Sequence, residues 1–132
     1  MSLLEKSGFD MLTNVLFDMN NTGKFPLSIL TDKDGLPIVS AANDGVVPER
    51  QAAVIGFIRK TSDQVSKLLA WPELDEISYS FTNGYILVSR PFHARDNYLT
   101  LATIVTDKNV QYRNVMSLAI TEIQKAWEFY WK

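Results

Sequence analysis

The four residues Asp32-Lys33-Asp34-Gly35 constrain this chain more than any other stretch. They separate two short apolar runs, at residues 27–31 and 36–41. An Asp side chain folds back onto its own backbone and Gly adopts positive φ without steric cost, so the stretch predicts a β-hairpin. Pro37 holds Leu36 extended and cannot donate to a ladder. The second strand therefore belongs at a sheet edge, or its N–H faces outward.

The other elements are read around that hairpin. Residues from about 2 to 20 predict a helix with Leu4, Met11, Leu12, Val15 and Met19 on one face and Lys6, Asp10 and Thr13 opposite. Asn20-Asn21-Thr22-Gly23 reads as its stop. A loop at 43–47 leads into a second helix, about 48–70, opened by Pro48 and Glu49 and closed before Pro72. Its expected core stripe is Val54, Ile58, Val65, Leu68 and Leu69, widened by Phe57 and Ala53 on one side and by Ile55 on the other.

Residues 75–81 alternate, with Ile77, Tyr79 and Phe81 on one side and Ser78 and Ser80 on the other, as in a strand with one polar face. Asn83-Gly84 is a strong turn signal. Residues 85–92 and 98–106 are apolar on both faces, so these strands should be central, with helices on both sides of the sheet. A last helix, about 113–131, should bury Val115, Ala119, Ile123, Ala126 and Tyr130, flanked by Ile120, Trp127 and Phe129. The order α-β-β-α-β-β-β-α predicts a three-layer α/β/α sandwich of the α+β kind. It holds a five-stranded antiparallel sheet, with the second helix on one face and the two terminal helices on the other.

Bulk properties narrow the function by exclusion. A chain of 132 residues suits one domain covering 1–132. The net charge of −2 offers no electrostatic reason to bind nucleic acid or an anionic membrane. The absence of cysteine removes disulfides, thiolate zinc sites and thiol nucleophiles. No apolar run approaches the ~18 residues of a membrane span, and the N-terminus lacks a signal-peptide pattern, so a cytoplasmic location is expected.

Catalytic templates fail on residue supply. Counted from Asp32, a calcium loop would need Gly at its sixth and Glu at its twelfth position; Pro37 and Asn43 stand there. There is no Gly-rich phosphate loop and no Gly-x-Ser-x-Gly elbow. His93, the single histidine, reads as a solvated turn residue. The expectation is a chain that is not an enzyme, with no catalytic residue, cofactor or metal.

Residues 30–40, the helix from Glu49, residues 77–89 with their Asn83-Gly84 turn, and residues 98–105 together resemble the roadblock/dynein-light-chain family. The resemblance implies a non-enzymatic adaptor or regulator. It also implies a homodimer or heterodimer in which second helices pack together and third strands join two sheets. The implied partner is a Ras-like small GTPase, or else a motor or scaffold complex. On this basis Ala53, Phe57, Gln64, Ile77 and Tyr79 are expected at the dimer interface, and Arg59, Lys60, Asp63 and Lys67 on an exposed partner-binding face. A small-molecule sensor of similar sandwich fold is the alternative from another class. It would need a lined cavity, whereas the strands here are filled with branched and aromatic residues.

Overall fold

A computed structural model describes residues 3–43 and 48–131, with only the backbone of residues 3–5 and 48. Most of the loop expected at 43–47, and the side chain of Leu4, lie outside the described residues. The elements are α1 (Leu3–Gly23), β1 (Leu27–Thr31), β2 (Pro37–Ala42), α2 (Pro48–Leu69), β3 (Ile77–Ser80), β4 (Ile86–Ala94), β5 (Asn97–Val105) and α3 (Tyr112–Tyr130). The sheet runs β2-β1-β5-β4-β3 and every neighbouring pair is antiparallel. Pro37 thus lies in an edge strand, and the doubly apolar β5 lies in the middle.

Strand alternation divides the core between the two faces. Leu30, Val88, Leu101 and Val105 point to the face covered by α1 and α3, where they meet Leu12, Leu16, Met116 and Ile123. Leu27, Ile29 and Ala102 point the other way and meet Ile55 of α2. This second cluster is far smaller. At about 1.5–3 kcal/mol per fully buried large aliphatic side chain, α2 is held to the sheet by much less apolar burial than the terminal helices.

The hairpin supplies another anchor for α2. Asp32 Oδ1 accepts the N–H groups of Asp34 (2.9 Å) and Leu36 (3.0 Å), and Gly35 takes φ +84°. That turn brings Gly35 against Gly56 of α2: a Cβ on Gly35 would lie 2.5 Å from the Gly56 Cα, whereas one on Gly56 would meet only Gly35 O, at 3.7 Å. Gly35→Ala combines positive-φ strain with overlap and should cost about 1–3 kcal/mol. Gly56→Ala should be neutral or stabilise by up to about 1 kcal/mol through helix propensity. Urea unfolding of both variants checks the pair; equal losses would remove this close approach from the account.

Several boundaries and faces differ from the sequence expectation. α1 continues to Gly23, and the left-handed turn falls on Lys24 (φ 56°), because Gly23 is packed under the Phe25 ring. On α1, Leu16 is buried and Met11 is partly exposed. On α3, Met116 joins the core, Val115 and Tyr130 are half-buried, and Phe129 is exposed. β3 begins only at Ile77 because Asp75 and Glu76 bind the start of α3: Arg113 pairs with both, and the Tyr112 hydroxyl donates to Glu76 (2.9 Å). Burial, then the Glu76 hydrogen bond, raises the Tyr112 phenol above its usual pKa. His93 lies within β4 rather than in a turn; its ring contacts Glu73 at 3.1 Å and stacks on Tyr98.

Candidate functional site

Pro48 and Glu49 open α2, and its 22 residues expose two distinct surfaces. Toward the sheet it presents Ile55, Ile58, Arg59 and Ser62, all buried. The Ser62 hydroxyl donates to the carbonyl of Ile58 (2.6 Å), and the Arg59 guanidinium lies 4.0 Å above the centre of the Tyr98 ring. Of the expected core stripe only Ile58 is inside; Val54, Val65, Leu68 and Leu69 are exposed. The helix is rotated so that its more polar side meets the sheet. The physical reason is that Gly56 and Ile55 fit the hairpin and the small Leu27–Ile29–Ala102 patch, while Arg59 and Ser62 find local partners.

The outward side is strongly apolar. Val54, Phe57, Thr61, Val65 and Leu68 recur at spacings of three and four, which places them on one face at about 100° per residue. Phe57 is 71% exposed and Leu68 86%. Ala53 and Gln64 are also exposed on this outer side, on the flank leading to Lys60 and Lys67. An apolar stripe at this spacing on the solvent side of a helix is what a helix–helix seam requires.

Beside α2 the sheet continues uncovered. Tyr79, Phe81 and Tyr85 are exposed, and Ile77 and Leu87 are half-buried. Ile77 and Tyr79 stand opposite Ser89 and Leu87, so they share the α2 side of the sheet, on the edge strand β3. A groove of about 330 Å³ separates Val54 and Gln51 of α2 from Phe81, Tyr85, Leu87 and Ile104. The residues expected at an interface are thereby placed on two adjoining surfaces, the outer side of α2 and the sheet margin. Val54, Val65, Leu68, Phe81 and Tyr85 are exposed on the same two surfaces and are not among the residues expected there from sequence. The signal was present in the helical spacing but is the same signal that a core stripe gives.

The expected partner-binding set divides. Lys60, Asp63 and Lys67 are exposed along one flank of α2. Arg59 corrects the expectation: it is 6% exposed, because its guanidinium rests on the Tyr98 ring beneath α2 and faces Asp63 of the next turn (3.4 Å). Among the described residues no cluster of three metal-ligating side chains occurs, and no helix is long and apolar enough to cross a membrane.

The layer order, the strand order and the lone helix on one face are those of the roadblock fold, and the chain has that fold. Solved structures that share it include Myxococcus xanthus MglB, at TM-score 0.74 and 17% identity over 94% of this chain and 92% of that one. An MglB described as having a tetrameric arrangement matches at 0.73 and 13%, over 92% and 91%. A roadblock/LC7 domain from Streptomyces avermitilis matches at 0.64 and 9%, over 88% and 93%. No family model matches the sequence, and no curated protein matches it by sequence.

Proposed function

We propose that this protein is a non-enzymatic, cytoplasmic, dimeric regulator or adaptor of a Ras-like small GTPase. The observation that carries the reading is the apolar stripe Val54–Phe57–Val65–Leu68, turned away from the sheet on a roadblock fold. A second copy of the same stripe is its natural cover. Two-fold pairing would set one α2 beside the other, and the neighbouring α2 would lie along the uncovered margin formed by Tyr79, Phe81 and Tyr85. The β3 edge, whose short strand carries neither Pro nor Lys, would pair with its own copy and extend the sheet. The MglB with a tetrameric arrangement supports self-association of this fold.

In such a dimer the exposed flanks with Lys60, Asp63 and Lys67 lie on either side of the seam and offer a composite surface to the GTPase. Light scattering at micromolar concentration should give twice the 15.0 kDa chain mass. The immobilised dimer should capture a Ras-like small GTPase from its own cell in one nucleotide state, tested with GDP and with a non-hydrolysable GTP analogue. Lys60→Glu should reduce capture by about tenfold or more, the value of one good charge-assisted contact, without changing the dimer mass. A monomer at that concentration, or capture indifferent to both nucleotide and charge reversal, would count against the reading.

A further inference from the structure

The cleft between the C-terminal half of α2 and the β4–β5 hairpin has a volume of about 450 Å³ and is lined by Arg59, Lys67, Trp71, Glu73, Leu74 and Tyr98. Its floor is charged. A buried guanidinium needs hydrogen bonds and a close counter-ion to offset its desolvation, and Arg59, although its guanidinium rests on the Tyr98 ring, has little of either. Its one ion pair among the described residues, to Asp63 Oδ1, spans 3.4 Å, beyond the ~2.7–2.9 Å of a strong charge-assisted bond. Among the described residues its Nε is buried with no hydrogen-bond partner. The hydroxyl of Thr100, two residues along β5 from Tyr98, is likewise buried and unpartnered.

The cleft's other charges are unequally committed. Glu73 is held by His93 at 3.1 Å and Asp63 by Arg59, whereas Lys67 forms no ion pair among the described residues. Two cations thus face one space in which one of them lacks a carboxylate and the other has a distant one. The remaining wall is apolar: Trp71, Leu74 and Ala70, next to the Tyr98 ring.

We infer that this cleft binds a small organic anion, a carboxylate or phosphate monoester with an aromatic or branched body. The oxyanion is taken by the forked donors of Arg59 with Lys67 beside it, and the body lies against Trp71 and Leu74. Arg suits the task because its planar donors match both oxyanions, and the volume suits a ligand of this class rather than a bare ion. The inference does not depend on the proposed GTPase partner.

Calorimetry and saturation-transfer NMR on the full chain test it, with benzoate and phenyl phosphate as probes and benzyl alcohol and inorganic phosphate as controls. One or both aromatic anions should bind at least about tenfold more tightly than benzyl alcohol, the value of one charge-assisted contact; which of the two binds better tells the carboxylate from the phosphate. Arg59→Met should abolish that preference, and Lys67→Met should weaken it. Equal binding of benzoate, phenyl phosphate and benzyl alcohol, or no binding of either anion at millimolar concentration, overturns the site. Should Arg59→Met fail to fold, Trp71→Ala decides: its side chain is 69% exposed, so the fold should survive. Loss of anion binding then supports the cleft, and unchanged binding refutes it.

Discussion

Phe57→Asp is expected to turn the proposed dimer into a folded monomer. The side chain is 71% exposed in the single chain and belongs to neither core cluster, so the substitution removes little that holds α2 to the sheet. Within a two-fold seam it is lost twice. Fully burying one Phe is worth about 1.5–3 kcal/mol, so two copies are worth about 3–6 kcal/mol, or roughly two to four decades in the dissociation constant. Burying two carboxylates near the axis adds a further penalty in the same direction. Sedimentation or light scattering across a concentration series reads the dissociation constant, and urea unfolding reads the monomer. The monomer should keep its stability to within about 0.5 kcal/mol, as surface substitutions usually do. If Phe57→Asp dimerised with unchanged affinity, the seam would not run along this stripe.

The same stripe marks the limit of what the sequence discloses. Periodicity located α2 to within a residue at each end, because Pro48 and Pro72 bracket it and each acts locally. It could not say which side of the helix meets the sheet. Val54, Phe57, Val65 and Leu68 form the more apolar surface, and a solvent-facing seam produces the same pattern as a core face. The rotation is decided by contacts distant in sequence: Gly35 on Gly56, Arg59 on Tyr98, and Ile55 into the patch of Leu27, Ile29 and Ala102. The hairpin was legible for the opposite reason. Asp32 and Gly35 act through their own backbone within five residues, and Pro37 states its edge position by lacking an N–H. The doubly apolar β4 and β5 likewise revealed the helices on both faces, since no other arrangement buries both sides of a strand.

Asn20 shows how a local rule can be right about residue type and wrong about role. Asn near a helix end signals a stop, yet here α1 continues past it and the side chain, 5% exposed, points into the sandwich. Its Nδ2 donates to the Ala41 carbonyl on β2 (3.0 Å), and its Oδ1 accepts from the Ser28 hydroxyl on β1. Ser28 Oγ lies 3.0 Å from Thr103 Oγ1 on β5, and Thr103 donates to the Leu27 carbonyl (2.8 Å). One amide therefore ties α1 to β1 and β2, Thr103 ties β5 to β1 beside it, and every member is buried. Asn20→Ala leaves the Ala41 carbonyl without this donor, removes the bond to Ser28 and opens a small cavity. Ser28 can turn its single proton to Thr103, which limits the loss. The expected cost is about 1–3 kcal/mol, from the lost amide bonds and the missing side-chain volume. Against a typical total of about 5–15 kcal/mol this is a large fraction. Thr103→Val should cost less, since only the terminal bond to Leu27 goes, and the double variant should lose more than the sum, because it takes both acceptors from the Ser28 hydroxyl. Asn20→Asp separates hydrogen bonding from shape. At neutral pH the carboxylate faces the Ala41 carbonyl without a proton to donate, so it should be worse than Ala. Burial raises the folded pKa of the introduced carboxyl above its unfolded ~3.9. Its stabilising protonated form is thus fully present below that value and lost as pH rises through the folded pKa, so the gap to Asn20→Ala should close on acidification. Urea midpoints at constant slope, measured at pH 7 and pH 5, read each comparison. A midpoint for Asn20→Ala within about 0.5 kcal/mol of the parent, the size of an ordinary surface change, would mean that the sandwich is joined by its apolar contacts alone.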